Sequence, residues 1–580
     1  MQCNVEIRRG EDARELLGAV EIREQWKRLH ARCPWSTVFQ SPPFLDAWYR
    51  HYDAFYEPLL AIGRDGRGNL AGILPLAVER EHGRLVVAGT HHAEYQVWLA
   101  LPELRTQFIE AALESLREAF PRGRLQFTYI RPDAPLESFR AGGRWHGSSD
   151  IRAFPRGLIA LGDGNKLRES LHEKRNRRQL NRLENLGTLQ LQHIERFEDL
   201  EAEFDEIIAF NDFRKGAAYN KLPFRNDPSK KPFHVSLFRI PDLLHVSVLR
   251  LNGKVISARI GIINRDQVIG YLHTHSPFLA KYSLSGLHLL LLGIRLAEKG
   301  FREWDLTPGG TYKDKFATHR DDAFVLTIFF SRAACLRHKA KMRISGIGKN
   351  VLCRLSLQPE RVREALGSFI RNAIRPGTLA GIGSALFETR EVKLYAAEMS
   401  DFPNLENTHA TRRDDLNDLM AFQETGGRSP SIQEFLSRAQ SRLEAGHRAY
   451  TSVVDGVLAC SGWLAEQTST LEFGEVGQEW RVPEGGAALF GFYLHSDHRT
   501  EDCLRGALVR MLRDASAMKG AKRAYVLVPG DDSLISRTIE RMGFRHEASF
   551  FRRRTLGRAV RWKRQVAGAP DRASERSSAS

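Results

Sequence analysis

At 580 residues the chain is too long for one hydrophobic core, and its length suggests roughly three or four units. A hydrophobic share of 42% with 27% charged residues excludes a disordered or fibrous chain, and no apolar run approaches the ~18 residues that span a bilayer. The formal charge of +16 bears on partners and not on fold: nucleotides, other phosphate-bearing ligands or acidic lipid headgroups would be attracted.

The first residues, MQCNVEIRRGEDARELLG, lack the apolar core of a signal peptide, so a cytoplasmic location is expected. Six cysteines (Cys3, Cys33, Cys335, Cys353, Cys460, Cys503) are scattered without a CxxC pair or a His/Cys ligand spacing. That argues for free thiols in a reducing compartment, against a disulfide framework and against a metal site.

In chain order, one pattern recurs three times: hairpin, further strand, amphipathic helix, strand. The first pass has strand EPLLAIG, a turn at Arg64–Asn69 and strand LAGILPLAVER, then a strand near Tyr95–Ala100, a helix over about 103–120 and strand RLQFTYI. The second has HVSVLRL, the turn Asn252-Gly253 and KVISARIGII. Asn-Gly between alternating apolar runs signals a type I′ hairpin, because both turn positions need positive φ. Strand QVIGYLH, a helix over Ser285–Lys299 and strand REWDL complete it. The third has RAYTSVV, the turn Asp455-Gly456, VLACSGWLA, strand AALFGFYLH, a helix from about Glu501 to Met518, strand RAYVLVP and a last helix at Leu534–Met542.

Strands alternating with helices in this order indicate an α/β fold. The resulting domains are a first lobe over 1–150, a second over 151–335, a basic helical connecting arm over 336–390, a C-terminal lobe over 391–562 and a disordered tail over 563–580. The arm's Arg and Lys residues, from Arg337 to Lys349, could touch an acidic membrane surface at the inner face.

Most chemistry gathers in GYLHTHSPFLAKYSLSGLHLLLLGIRLAEKGFREWDLTPGGTYKDKF, residues 270–316. Ser285 is an expected N-cap, Leu287, Leu290, Leu291 and Ile294 fall on one helix face, and Gly300 supplies the stop. A helix start facing a strand end presents backbone N–H groups and a positive dipole end, which suit a phosphate.

The order strand, loop, helix, strand resembles the acyl-CoA-binding core of GNAT acyltransferases. Tyr282-Ser283-Leu284-Ser285-Gly286 before the helix, then Trp304-Asp305-Leu306, Gly310 and Tyr312-Lys313, resembles the FemAB-like branch. Within that branch it resembles the BioF2-like acetyltransferase domains of the CelD/BcsL kind, associated with bacterial exopolysaccharide production. Thr37-Val38-Phe39-Gln40-Ser41-Pro42 with Phe44 and Trp48, and the basic helix LRESLHEKRNRRQLNRLENLG, resemble the same proteins over about residues 20–330.

The resemblance implies three GNAT-like lobes with mixed sheets, the first two paired as in FemAB-like proteins, and an acyltransferase of the N-acyl type. Acetyl-CoA or another acyl-CoA would be the co-substrate, and the acceptor an amino or hydroxyl group of a sugar, polysaccharide or cell-envelope precursor. The rival readings are an aminoacyl-tRNA-dependent transferase and a non-catalytic scaffold for polysaccharide synthesis.

An amine attacking a thioester must lose a proton, and the oxyanion needs a donor. Asp305, His273 and His275 lie at strand ends where a base could sit, and Tyr312 or Lys313 could stabilise the oxyanion or protonate the thiolate. Donor binding falls to Tyr282, Ser283, Ser285, Gly286 and Leu287. Arg175 and Arg178, spaced with Arg168 and Arg182 along one basic helix, are phosphate contacts or a solvated face.

The C-terminal lobe resembles GNAT proteins at ERMGFRHE, but departs in two places. The loop Ser496–Asp502 lacks the family's glycines and carries Glu501 and Asp502, and Ile539 stands where many members have a tyrosine. That implies a lobe with weak or no catalysis.

Overall fold

The computed structural model describes residues 4–162, 164–342, 387–402, 411–425, 429–467, 469–518, 520–555 and 558–566. Most of the connecting arm, the tail beyond 566, Cys3 and Cys353 lie outside the described residues. The described residues divide into two compact units. Residues 4–208, 223–276 and 282–342 form the first, and 209–222, 277–281 and the described residues from 387 onward form the second.

The first unit opens with an antiparallel sheet of β1 (Asn4–Arg9), β2 (Tyr56–Arg64), β3 (Leu70–Glu79), β4 (Leu85–Val87) and the two-residue β5 (Leu99–Ala100). Helices α1 (Glu11–Gly18), α2 (Val20–Arg32), α3 (Pro42–Tyr52) and α4 (Arg105–Ala119) accompany it. The apolar stripe of α4, with Phe108, Ile109, Ala112, Leu113 and Leu116 all buried, shows why this segment is helical and what it covers. The first pass ends differently from the other two. Its last strand, β6 (Arg124–Ile130), leaves the first sheet and pairs with a strand of the second. The two sheets therefore share one core, in which Trp26, Trp48, Trp98 and Phe108 are continuous with Phe127, Ile269 and Leu326.

The second sheet holds β6, β7 (Ser149–Ala160), β8 (Leu189–Ile194), β9 (Leu244–Leu251), β10 (Lys254–Asn264), β11 (Gln267–His275), β12 (Glu303–Pro308) and β13 (His319–Phe329), in the order β6-β13-β7-β12-β11-β10-β9-β8. Asn252 and Gly253 have φ of 51° and 79°, as the β9–β10 hairpin requires. Its helices are α5 (Asn165–His172), α6 (Lys174–Glu184), the first part of α7 (Glu201–Tyr219, whose residues from Ala209 on belong to the second unit), α8 (Lys230–Phe238) and α9 (Leu284–Glu298). Helix α9 connects β11 to β12, the only kind of link long enough for a parallel pair. It is apolar nearly all round and buried, and α5 docks on its C-terminal half, where Leu167 sits so close that a Cβ on Gly293 would lie 2.7 Å from it.

In the second unit the strands are β14 (Phe387–Glu398), β15 (Arg412–Arg413), β16 (Arg448–Val454), β17 (Val457–Ala465), β18 (Thr470–Phe473), β19 (Gln478–Arg481), β20 (Gly486–Leu494), β21 (Arg523–Pro529), β22 (Arg545–Thr555) and β23 (Arg558–Gln565). Its helices are α10 (Leu416–Leu419), α11 (Ile432–Glu444), α12 (Glu501–Ser516) and α13 (Ser533–Arg541). The main sheet runs β15-β16-β17-β20-β21-β14-β22-β23, and β18 with β19 form a separate ribbon. Strand β23 reaches Gln565, into the stretch expected to be tail, because it pairs with β22 along its whole length.

The two eight-stranded sheets share one plan. Each has a single parallel pair, β11–β12 or β20–β21, bridged by one helix, with every other neighbour antiparallel. In each, a strand made early, β7 or β14, fills the gap between the second parallel strand and the strand after it. The mixed α/β class read from the sequence is the observed one.

Candidate functional site

Strands β11 and β12 stay paired for three positions only, Gln267–Glu303, Val268–Trp304 and Ile269–Asp305. Two local features then part them. On β11 a register shift opposite Ile260/Gly261 leaves Tyr271 without a partner on β10, and such a bulge bends its strand. On β12 the register with β7 breaks between Asp305 and Pro308, and Thr307 takes a φ of 63°. A β-branched residue in that region is strained and must be held there by its surroundings. The wedge that opens is edged by backbone of two strands, and Arg259, which lies over the β12 residue Trp304, links this region to the start of α9.

That start is chemically open. Ser283, in the left-handed region at φ 56°, precedes the helix and makes no side-chain cap bond, so the expectation that Ser285 caps α9 is off by two residues. The N–H groups of Gly286 and Leu287 turn back to the Ser283 carbonyl, while those of Leu284 and Ser285, in the first turn, have no carbonyl of their own helix to reach. Arg259, buried on β10, donates from Nη2 to the Ser285 carbonyl at 2.7 Å and to its hydroxyl at 3.2 Å, and lies over the Trp304 ring at 5.6 Å. His273 is the direct partner of Arg259 across the β10–β11 ladder, so both point to one face of the sheet. His275 follows two residues later on β11. Tyr282, Ser285 and Gly286 are half-buried and Leu287 is buried. A Cβ on Gly286 would meet only Phe316, at 3.4 Å.

Below the wedge lies a buried charged assembly. Asp305, 1% exposed, accepts from Tyr95 Oη and from Arg156 Nη1 at 2.7 Å each through Oδ2, and from the Thr307 N–H at 2.7 Å through Oδ1. Arg156 spans onward to Asp321. The Thr307 kink is thus held by the carboxylate of Asp305, and the kink in turn sets Lys313. Lys313 Nζ donates to the Thr307 carbonyl at 3.2 Å and its hydroxyl at 3.0 Å. Burial lowers the Lys313 pKa, and the neighbouring charges of Glu94 and Asp305 oppose that shift. Burial also raises the pKa of Tyr271, with Glu94 adding to it. Glu94, on the loop before β5, carries the charge that acts on both groups. The hydroxyls of Tyr271 and Thr274 and the indole N–H of Trp304 are buried with no hydrogen-bond partner among the described residues, which in a folded protein calls for an explanation.

Of the residues expected from sequence, His273, Ser285, Gly286, Asp305 and Lys313 gather around this wedge. The Tyr312 side chain lies outside what is described. Arg175 and Arg178 are exposed on α6, where Arg178 lines a cleft of 480 Å³ with Lys174, Arg177 and Arg182. Sequence reasoning missed Tyr95, Glu94, Arg156, Thr307 and Arg259. Only Arg259 left a signal, as a lone cation inside the apolar strand KVISARIGII.

The second unit repeats the opened pair but seals the helix. Strands β20 and β21 pair over four positions, and Gly491, with φ 62°, marks the bulge. Thr500 caps α12, its Oγ1 accepting from the Cys503 N–H at 3.3 Å, and Glu501 and Asp502 occupy the first turn. Ile539 is fully buried in the core of this unit.

Comparison with known proteins finds a family match over one stretch. Residues 170–315, from the end of α5 to the turn after β12, match the family model described as an acetyltransferase (GNAT) domain. No curated protein matches the chain. Solved structures with similar folds include FemX (10% identity, 54% of this chain and 98% of that one, TM-score 0.40). L-PGS from Bacillus licheniformis is another (10%, 53% and 92%, TM-score 0.35). A third is a tandem GNAT protein from the clavulanic acid biosynthesis pathway (13%, 57% and 99%, TM-score 0.35). All three are distant. Among the described residues, no helix is long and apolar enough to cross a membrane.

Proposed function

We propose that the chain, whose residues 170–315 carry the acetyltransferase (GNAT) domain match, transfers an acyl group from acyl-CoA, acetyl-CoA in the first instance. The acceptor is an amino or hydroxyl group on a sugar, polysaccharide or cell-envelope precursor. The observation that carries this reading is the parted β11–β12 pair beneath a helix start that has no side-chain cap and an arginine beside it. The N-terminal turn of α9 suits a diphosphate. The backbone of β11 past Gly270 suits the amides of a pantetheine arm, which pair as an added strand would.

In the transfer, the acceptor nitrogen or oxygen bonds to the thioester carbon as the carbon–sulfur bond breaks. Glu94 takes the proton from the acceptor, and Lys313, whose pKa is lowered by burial, gives one to the leaving thiolate. Asp305 is assigned a positioning role: with three donors already on its carboxylate, it holds the Thr307 kink and through it Lys313. His273 lines the donor side beside Arg259. The C-terminal copy, capped by Thr500 and acidic in its first turn, is assigned no donor site.

Calorimetry with acetyl-CoA tests the reading. Wild type should bind and Gly286→Trp, which fills the space at the helix start, should not. Undiminished binding by Gly286→Trp would sink it. A second reading, with aminoacyl-tRNA as donor, is favoured by the exposed cationic face of α6. It predicts tRNA binding that weakens steeply with salt, and no binding of acetyl-CoA.

A further inference from the structure

The turn between β4 and β5 carries two consecutive histidines, His91 and His92, and Asp227 reaches it from the segment before α8. One donor atom from each lies within 4.8 Å of the others. His92 is 2% exposed, and its Nε2 is buried with no hydrogen-bond partner among the described residues, 3.7 Å from Asp227 Oδ2. That separation is too long for a hydrogen bond and leaves a buried polar atom aimed at a carboxylate.

Asp227 is oriented by its other partners: Oδ2 accepts from Tyr52 Oη at 2.8 Å and Oδ1 from the Ser229 N–H at 3.1 Å. His91 stands at the exposed rim with its Nδ1 3.2 Å from Thr90 Oγ1, and a proton on that nitrogen makes Nε2 the ligating atom. The group borders a cleft of 590 Å³ that also gathers Tyr56, Glu79 and Glu81.

We propose that His91, His92 and Asp227 bind one divalent transition metal ion of the zinc class, with a further coordination position turned to this cleft. Two imidazole nitrogens and one carboxylate oxygen form a donor set that zinc prefers, whereas calcium and magnesium ask for oxygens. Tyr52 on the carboxylate and Thr90 on His91 are the outer partners that fix a ligand's orientation. Bonds of about 2.0–2.1 Å require the donor atoms to draw together, and exposed His91 is the member placed to move. Sequence spacing could not show this set, because Asp227 is far along the chain from the histidine pair. The site shares no residue with the wedge at β11 and stands independently of the transfer reading.

The test uses the full chain purified without a histidine tag, stripped with chelator, dialysed and titrated with Co²⁺. The expected result is one Co²⁺ per chain with visible absorption of four-coordinate intensity, displaced by Zn²⁺. Affinity should fall by about 100-fold or more in His91→Ala and ~10-fold in Tyr52→Phe. His91 is exposed, so His91→Ala should keep the wild-type circular dichroism and melting profile. Substoichiometric Co²⁺ in wild type, or undiminished binding by His91→Ala, overturns the proposal.

Discussion

Arg259 on β10 donates to both oxygens of Ser285, so a buried cation stands at the start of α9 where helices commonly carry a polar cap. The positive end of the helix and the guanidinium add in sign, and an anion there meets both. Replacing Arg259 by Ala is expected to weaken acetyl-CoA binding about tenfold, the scale of one charge-assisted hydrogen bond. Arg259→Lys should not restore it, since the planar stack on Trp304 and the paired contacts to Ser285 are lost. Calorimetry on all three proteins checks this, and equal affinities would remove Arg259 from the donor site.

The Asp305–Arg156 pair is buried on both sides, at 1% and 4% side-chain exposure. Asp305→Asn removes a charged acceptor shared by Arg156, Tyr95 and Thr307 while Arg156 keeps Asp321, so it should cost about 2–3 kcal/mol in denaturant unfolding. Tyr95→Phe removes a single neutral donor to the same oxygen and should cost about 1 kcal/mol. If Asp305 acts by positioning, the variant's residual activity keeps the wild-type pH profile. A vanished acidic limb would instead make Asp305 the base.

His288 is the one imidazole inside the apolar helix α9, bridging Ser247 Oγ at 3.0 Å and Ser257 Oγ at 2.8 Å with no exposed surface. His288→Ala leaves the Ser247 hydroxyl without its partner, takes one of two partners from Ser257, which keeps the Thr274 carbonyl, and opens a cavity, at an expected cost of about 2–4 kcal/mol. The triple change His288→Leu, Ser247→Ala, Ser257→Ala removes every member of the network and should recover most of that loss. Equal destabilisation of the single and triple variants would refute the account.

His234 and His245 have their pKa values pushed down to about 3, chiefly by burial. Each is neutral when folded and takes up a proton at the ordinary histidine value, near 6.5, when unfolded. Their contribution is complete above pH 6.5 and is lost as pH falls from there towards 3, by about 1.4 kcal/mol per pH unit for each. Urea midpoints measured between pH 7.5 and 4.5 should fall on the acid side, and His245→Phe should flatten the slope. A slope unchanged by that substitution would assign the acid sensitivity elsewhere.

The two sheet copies predict a binding count. With α12 capped by Thr500 and headed by Glu501 and Asp502, acetyl-CoA should saturate at one per chain. Thr500→Ala should leave that stoichiometry and affinity unchanged. A second equivalent site in wild type would show that the cap does not decide.

Local signals carried most of the element reading. The Asn252-Gly253 and Asp455-Gly456 turns take the positive φ values their residue types favour, and Gly300, with φ 83°, ends α9 as a C-terminal glycine does. What the sequence could not show is long-range. Strand β6 pairs with β13, about two hundred positions away, and nothing local in RLQFTYI distinguishes that partner from its own sheet. The site was legible where it is contiguous, from Tyr282 to Lys313. Arg156 and Tyr95 meet Asp305 only through tertiary structure, across separations of 149 and 210 residues. Asp305 drew attention as a charged residue at a strand end, and the same burial that makes it conspicuous supplies it with three donors.

The placement of β7 has a consequence for how the chain is made. Its two neighbours, β12 and β13, are synthesised some 150 residues after it, so β7 waits with both edges open while the ribosome completes α5 to α9. Strand β14 waits likewise for β21 and β22. Any chain cut short before Phe329 exposes two unpaired edges of an otherwise finished sheet, a template for wrong partners. Truncations intended to isolate the region 170–315 should therefore aggregate, and a soluble fragment has to begin early enough to include β6 and β7 and end beyond β13.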